Sequence, residues 1–135
     1  MFLNWDFGLL NSLRKKFDDM GLYVKVLPFP APDNYHENEP YLTAEVKPVT
    51  AGSDGCARTD IVLTLQNKAA NTENTLNMKI LKTLNSISKS SLSLDEGSES
   101  IGEANIKISS IDNRQNQLSV TISSLISLKR LYYDI

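Results

Sequence analysis

Residues 58–67 read RTDIVLTLQN, and their alternation sets the fold class. Ile61, Leu63 and Leu65 fall on one face while Asp60, Val62 and Thr64 fall on the other, the period-two pattern of a strand with one face on a core. Such a strand needs a neighbour. Immediately upstream, YLTAEVKPV at 41–49 alternates in the same way, with Leu42, Ala44 and Val46 against Thr43, Glu45 and Lys47. Pro48 has no N–H for a ladder, so it belongs at this strand's end or on an edge. Between the two runs, TAGSDGCA places Gly52 and Gly55 around Asp54, residues that supply the positive φ of a turn. The two runs are therefore predicted to form an antiparallel hairpin.

Working outward, NTENTLNMKILKTLNSISKS at 71–90 changes period. Leu76, Ile80, Leu84 and Ile87 step by four or three, Leu81 widens the stripe, and Thr72, Glu73 and Asn74 suit a helix start. Lys89 suits the other end, where a cation is favoured. At the N-terminus, a helix is expected from Asn4 or Asp6 to Met20, with Leu9, Leu10, Leu13, Phe17 and Met20 as its apolar stripe and Gly21 as its left-handed stop. Trp5 and Phe7 precede the main stripe as a staple against the core or an anchor for a neighbouring subunit, the staple being the simpler reading. LYVKVLPFP at 22–30 then reads as a short strand ended by Pro28. SSLSLDEGSESIG at 90–102 is rich in Ser, Glu and Gly and reads as a mobile connection. GEANIKISSIDN, a turn at NRQNQ, and QLSVTISSLISLKRLYYDI read as a closing hairpin. In its last strand Leu118, Val120, Ile122, Ile126 and Leu128 share one parity, and Ser119, Thr121, Ser123, Ser127 and Lys129 the other. The expected architecture is a single α+β domain over residues 1–135, in the order α-β-β-β-α-β-β. It has two layers: one mostly antiparallel sheet of about five strands and two helices on one face.

Composition bounds the function. The 135 residues are 41% hydrophobic and 22% charged, ordinary for one globular unit. No apolar run is long enough to span a bilayer, and the basic cluster Arg14-Lys15-Lys16 follows the apolar residues instead of preceding them, the reverse of a signal peptide. A lone Cys56 permits no internal disulfide, which points to an intracellular site of folding. The net charge of -2 offers no concentrated basic footprint, so sequence-specific nucleic-acid binding is not expected.

The stretch PFPAPDNYHENEP at 28–40 gathers the only histidine, His36, with Asp33, Glu37 and Glu39. Transition-metal sites want several His or Cys ligands on rigid elements, and this chain has one of each. The stretch also lacks the Asp-x-Asp-x-Asp-Gly spacing of a calcium loop. Its prolines fix φ and hold an extended connection between strands. No G-x-S-x-G elbow and no glycine-rich phosphate loop is present. No catalytic, cofactor-binding or metal-binding residue is assigned, and no cofactor is expected. In LKRLYYDI at the C-terminus, either one of Tyr132 and Tyr133 closes the core while the other lies on the surface, or the pair serves an interface, where tyrosines are favoured.

The order of elements resembles the tail terminator, or tail completion, proteins of long-tailed bacteriophages. It is carried by an opening helix ending at Gly21, a strand into Pro28, the loop to Pro40, the strands YLTAEVKPV and TDIVLTLQN, the helix TENTLNMKILKTLNSI and a closing hairpin. The resemblance implies a non-enzymatic virion protein, assembled in the host cytoplasm. It would form a hexameric ring of its own copies on the end of the tail tube, stop growth of the tube protein and present a docking surface to the head–tail connector. It places partner contacts at Asn34, Tyr35, His36 and Glu37, at Asp54 and Arg58 in the turn, and at Tyr132 and Tyr133 near a subunit interface. In a ring's lumen Arg14, Lys15 and Lys16 are the bases that passing DNA meets. Another neck or tail-completion component has a similar layout. Two alternatives from other classes are a cytoplasmic module that adds a peptide strand at a sheet edge and a small enzyme using His36.

Overall fold

The computed structural model describes residues 5–30, 40–48, 50–51, 56–66, 75–96, 99–114 and 117–128. It is a mixed α+β arrangement of two helices and one curled sheet. Helix α1 spans Trp5–Asp19 and α2 spans Thr75–Ile87; the strands are β1 Val26–Pro28, β2 Tyr41–Val46, β3 Thr50–Ala51, β4 Cys56–Gln66, β5 Ser91–Glu96, β6 Glu99–Arg114 and β7 Gln117–Leu128. Six strands follow the order β1-β2-β4-β7-β6-β5, and the two-residue β3 pairs with the start of β4. All the pairs are antiparallel except β1 with β2.

β4 is the centre of this sheet, as its clean alternation requires. Its core face carries Thr59, Ile61, Leu63 and Leu65, and its other face carries exposed Arg58 and Asp60 with half-buried Val62 and Thr64. β2 pairs it from Tyr41↔Gln66 to Val46↔Ile61. The line of pairing then breaks at Lys47 and Pro48 and resumes as β3 at Thr50↔Arg58. Two bonds bridge the break: Lys47 N–H donates to Asp60 O at 2.8 Å, and Thr59 Oγ1 donates to Lys47 O at 2.6 Å. Pro48, with no N–H, sits where the ladder is interrupted.

α1 stops as its sequence demands. Gly21 has φ +80°, Leu22 N–H reaches Phe17 O at 2.8 Å and Gly21 N–H reaches Asp18 O at 3.1 Å. This is the paired closure of a Schellman end, and the buried Phe17 and Leu22 supply its apolar contact. Leu9, Leu10, Leu13 and Phe17 of α1 join Ile80, Leu84 and Ile87 of α2 in one core with the strand residues Leu42, Ile61, Leu63, Leu118, Val120 and Ile122. Each such side chain contributes about 1.5–3 kcal/mol of transfer free energy.

Several expectations are corrected. Among the described residues the sheet has seven strands, not about five, and the element order gains β3 and β5. β5 occupies the segment read as a mobile connection. Its Ser91-Leu92-Ser93-Leu94 alternates, with Leu92 and Leu94 buried and both serines exposed, so burial outweighs the loop-like composition. The first strand shrinks to Val26–Pro28 and runs parallel to its neighbour. Met20 leaves the apolar stripe and is 44% exposed, because it sits in the helix-ending turn. The polar turn expected at 113–117 is narrower, since Asn113 pairs with Leu118 and Arg114 with Gln117. Lys89 lies two residues beyond the end of α2.

The curl of the sheet is legible in two side chains of α1. Arg14 donates from Nε at 2.9 Å and from Nη2 at 2.5 Å to Val26 O on β1, one end of the sheet. Ser12 Oγ donates to Ser93 O on β5, the other end. Residues two apart on a helix point about 200° apart. α1 therefore lies between the two terminal strands and touches both, and the sheet wraps around it as a half-barrel.

Candidate interaction surfaces

Of the residues singled out by sequence, Asn34, Tyr35, His36, Glu37, Asp54, Tyr132 and Tyr133 lie outside the described residues. Asp33, Glu39, Gly52 and Gly55 do as well. Arg58 is placed. It is exposed on the outer face of β4, in register with Thr50 of β3 and Leu125 of β7. Cys56 is half-buried two residues before it, and its Sγ lies 3.5 Å from Ser127 Oγ on the neighbouring strand. That contact gives the thiol an ordinary cross-strand polar neighbour.

The outer face of the sheet is a lattice of short polar side chains. Asp60, Ser123 and Lys107 form one row across β4, β7 and β6, in which Ser123 Oγ donates to Asp60 Oδ1 at 3.1 Å. On β2, Thr43 is buried on the same face, and its hydroxyl accepts from Gln66 Nε2 at 3.3 Å. Lys47 Nζ and Glu45 Oε2 form an ion pair at 3.2 Å, both side chains over 40% exposed, a geometry worth little in water.

Two of the cavities among the described residues open on the surface. One of about 540 Å³ lies between α1 and the β1 edge and is lined by Arg14, Asp18, Tyr23, Lys25 and Pro40. Tyr23 is exposed at this cavity, Met20 is exposed at the end of α1, and Phe29 is exposed just beyond β1. The second, about 610 Å³, is lined by Arg58, Asp60, Ser88, Lys107, Ser123 and their strand neighbours. No group of three or more His, Cys, Asp or Glu side chains arranged to hold a metal occurs among the described residues. No helix among them is long and apolar enough to cross a membrane.

The edges of the sheet are protected in different ways. At β1, the outward carbonyl of Val26 is occupied by the Arg14 guanidinium, so an incoming strand would have to displace a charge-assisted bond. β5 covers β6 only as far as Asn105. Beyond it, the outer edge of β6 has no strand partner among the described residues. That stretch carries Lys107 and a bulge at Ser109, whose Oγ donates to Thr121 O at 3.1 Å. Bulges and edge lysines both disfavour the addition of another strand.

No protein family and no curated protein matches this sequence. The functional reading therefore rests on layout and on these surfaces. Sequence reasoning passed over one of them, the wet face of α2. Lys79 and Lys82 are exposed there, Lys89 is exposed just beyond its end, and no Asp or Glu occurs from 74 to 90. The absence of carboxylates in that window was the available signal.

Proposed function

We infer that this chain is a structural tail-completion subunit of a long-tailed bacteriophage, a terminator that caps the tail tube as a hexameric ring and offers a surface to the head–tail connector. The observation that carries the reading is the layout: an opening helix with a glycine stop, a β2–β4 hairpin, a crossover helix and a closing hairpin whose strands are 16 and 12 residues long. A ring subunit needs two different lateral surfaces that meet head to tail and close. The exposed Met20, Tyr23 and Phe29 of the β1 flank, and the polar flank of β6 with α2, are two such unlike surfaces. Under this reading the proline-rich loop with Asn34, Tyr35, His36 and Glu37, the turn with Asp54 and Arg58, and Tyr132 and Tyr133 face the tube protein, the connector or a neighbouring copy.

Binding of a peptide by strand addition has less support, because Arg14 occupies the β1 edge and a bulge distorts the open part of β6. An enzyme dependent on His36 is separated by one substitution. His36→Ala abolishes turnover in such an enzyme, and in an assembly protein it alters a partner contact at most. The test of the main reading is to mix the protein with tail tubes assembled from the tube protein of the same genome and to sediment them. Binding that saturates at one ring of six copies per tube end supports the reading. Binding along the whole tube, or none, overturns it.

A further inference from the structure

Arg14 is a fixed cation with donors to spare. Its guanidinium has five N–H groups: Nε and Nη2 both donate to Val26 O, at 2.9 and 2.5 Å, and Nη1 donates to Asn11 Oδ1 at 2.9 Å. One hydrogen on Nη1 and one on Nη2 are left uncommitted. Sharing a single acceptor turns the Nε edge of the fork toward β1, so both uncommitted hydrogens lie off that edge. The side chain is half-buried, and among the described residues no carboxylate pairs with it. A partly shielded guanidinium whose partners are all neutral still attracts an anion.

Arg14 forms part of the wall of the cavity of about 540 Å³ between α1 and β1. That volume falls within the range of small-ligand pockets, about 300–1,000 Å³. Val24, Leu27 and Pro40 give the cavity apolar surface, and Tyr23, 83% exposed, leaves its ring free to cover an occupant. The charged residues of the wall are Arg14, Lys25 and Asp18, two cations against one carboxylate. Arg14 and Asp18 lie one turn apart on the same side of α1. The surplus of one positive charge matches a monoanion better than a dianion.

We propose that this cavity binds a carboxylate carried on an apolar body. The carboxylate accepts from the uncommitted Nη1 and Nη2 hydrogens of Arg14, and the body packs on Val24, Leu27, Pro40 and Tyr23. A planar guanidinium held in place by other bonds loses little further freedom when it takes such a ligand. Because Val26 O keeps its bond to Arg14, the ligand enters beside β1 without adding a strand to it. A peptide C-terminus and a small organic acid both present this chemistry. The proposal does not rest on the tail reading, and either can fail alone.

The test is an NMR titration of the isotope-labelled full chain near neutral pH, following the backbone amides and the Arg14 Nε–H. The probes are phenylacetate, N-acetylphenylalanine, the amides of both acids, and inorganic phosphate. Both acids should shift Arg14, Tyr23 and Val24 saturably, with dissociation constants of about 1 mM or tighter, while the amides and phosphate bind at least about tenfold more weakly. The tighter acid names the source: N-acetylphenylalanine a peptide C-terminus, phenylacetate a small organic acid. Arg14→Gln should abolish binding. Because that variant also loosens β1, two substitutions at exposed positions keep the test valid where it fails to fold. Tyr23→Ala should weaken binding about three- to tenfold, and Asp18→Asn should strengthen it about two- to fivefold. No saturable shift at Arg14, amides or phosphate that bind as tightly as the acids, or Tyr23 and Asp18 variants that bind like the wild type would each overturn the proposal.

Discussion

The two helices share a core but do different work. α1 is engaged on opposite sides: Arg14 holds β1, Ser12 holds β5, and Leu9, Leu13 and Phe17 fill the space between. α2 buries one stripe, is bonded to β6 through Asn77, and leaves Lys79 and Lys82 in water. The difference teaches which helix is fold and which is surface. A helix that joins the two ends of a sheet fixes how far the sheet curls. A helix that lies on one face and keeps a wet side of one charge is available to a partner.

Substitutions can break or sharpen that contrast. The largest effect belongs to the α1 core: Phe17→Ala, at a fully buried site, should cost about 3–5 kcal/mol in urea unfolding. Arg14→Ala should cost about 1–2 kcal/mol, because it leaves Val26 O without its charged donor at a half-exposed site. Amide exchange around Val26 and Leu42 should quicken in the same variant, and Arg14→Lys should restore only part of the loss, since one ammonium cannot reproduce the two-donor fork. If exchange at β1 does not change, α1 is not the clasp of that edge. Ser124→Ala is smaller and opposite in sign. The Ser124 hydroxyl is buried without a partner between Thr59 and Ile106, so its removal should leave thermal stability unchanged or raise it by up to about 1 kcal/mol. Lys79→Gln with Lys82→Gln should shift stability by less than about 0.5 kcal/mol, because α2 holds its place without them.

The strands with strict alternation were readable from sequence. β4 and β7 have one buried parity and one wetter parity, β2 keeps the pattern except at Thr43, which is buried on the outer face, and Gly21 marks the end of α1 because a left-handed residue is needed there. β5 was hidden by composition: in SLSLDE the serines and acids outnumber the leucines, and only Leu92 and Leu94 reveal the buried face. The wrap of the sheet was not readable, because it depends on Ser12 and Arg14 meeting strands 81 and 12 residues away. β1 was overextended for a related reason. Tyr23 to Lys25 alternate like a strand, but the parallel ladder to β2 begins only at Val26. Among the interaction residues, Arg58 is an exposed β4 side chain and the others lie outside the described residues. The wet face of α2 was visible in sequence as Lys79 and Lys82 in a stretch without an acid, and both are exposed on the helix.

The central claim, that this chain ends tail tubes, is tested most directly by electron microscopy of tubes assembled from their tube protein with and without it. The account predicts that adding the chain arrests growth, with a six-fold ring at one end of each tube and no further elongation when more tube protein is supplied. Tubes that continue to lengthen in its presence, with bare ends, would contradict it.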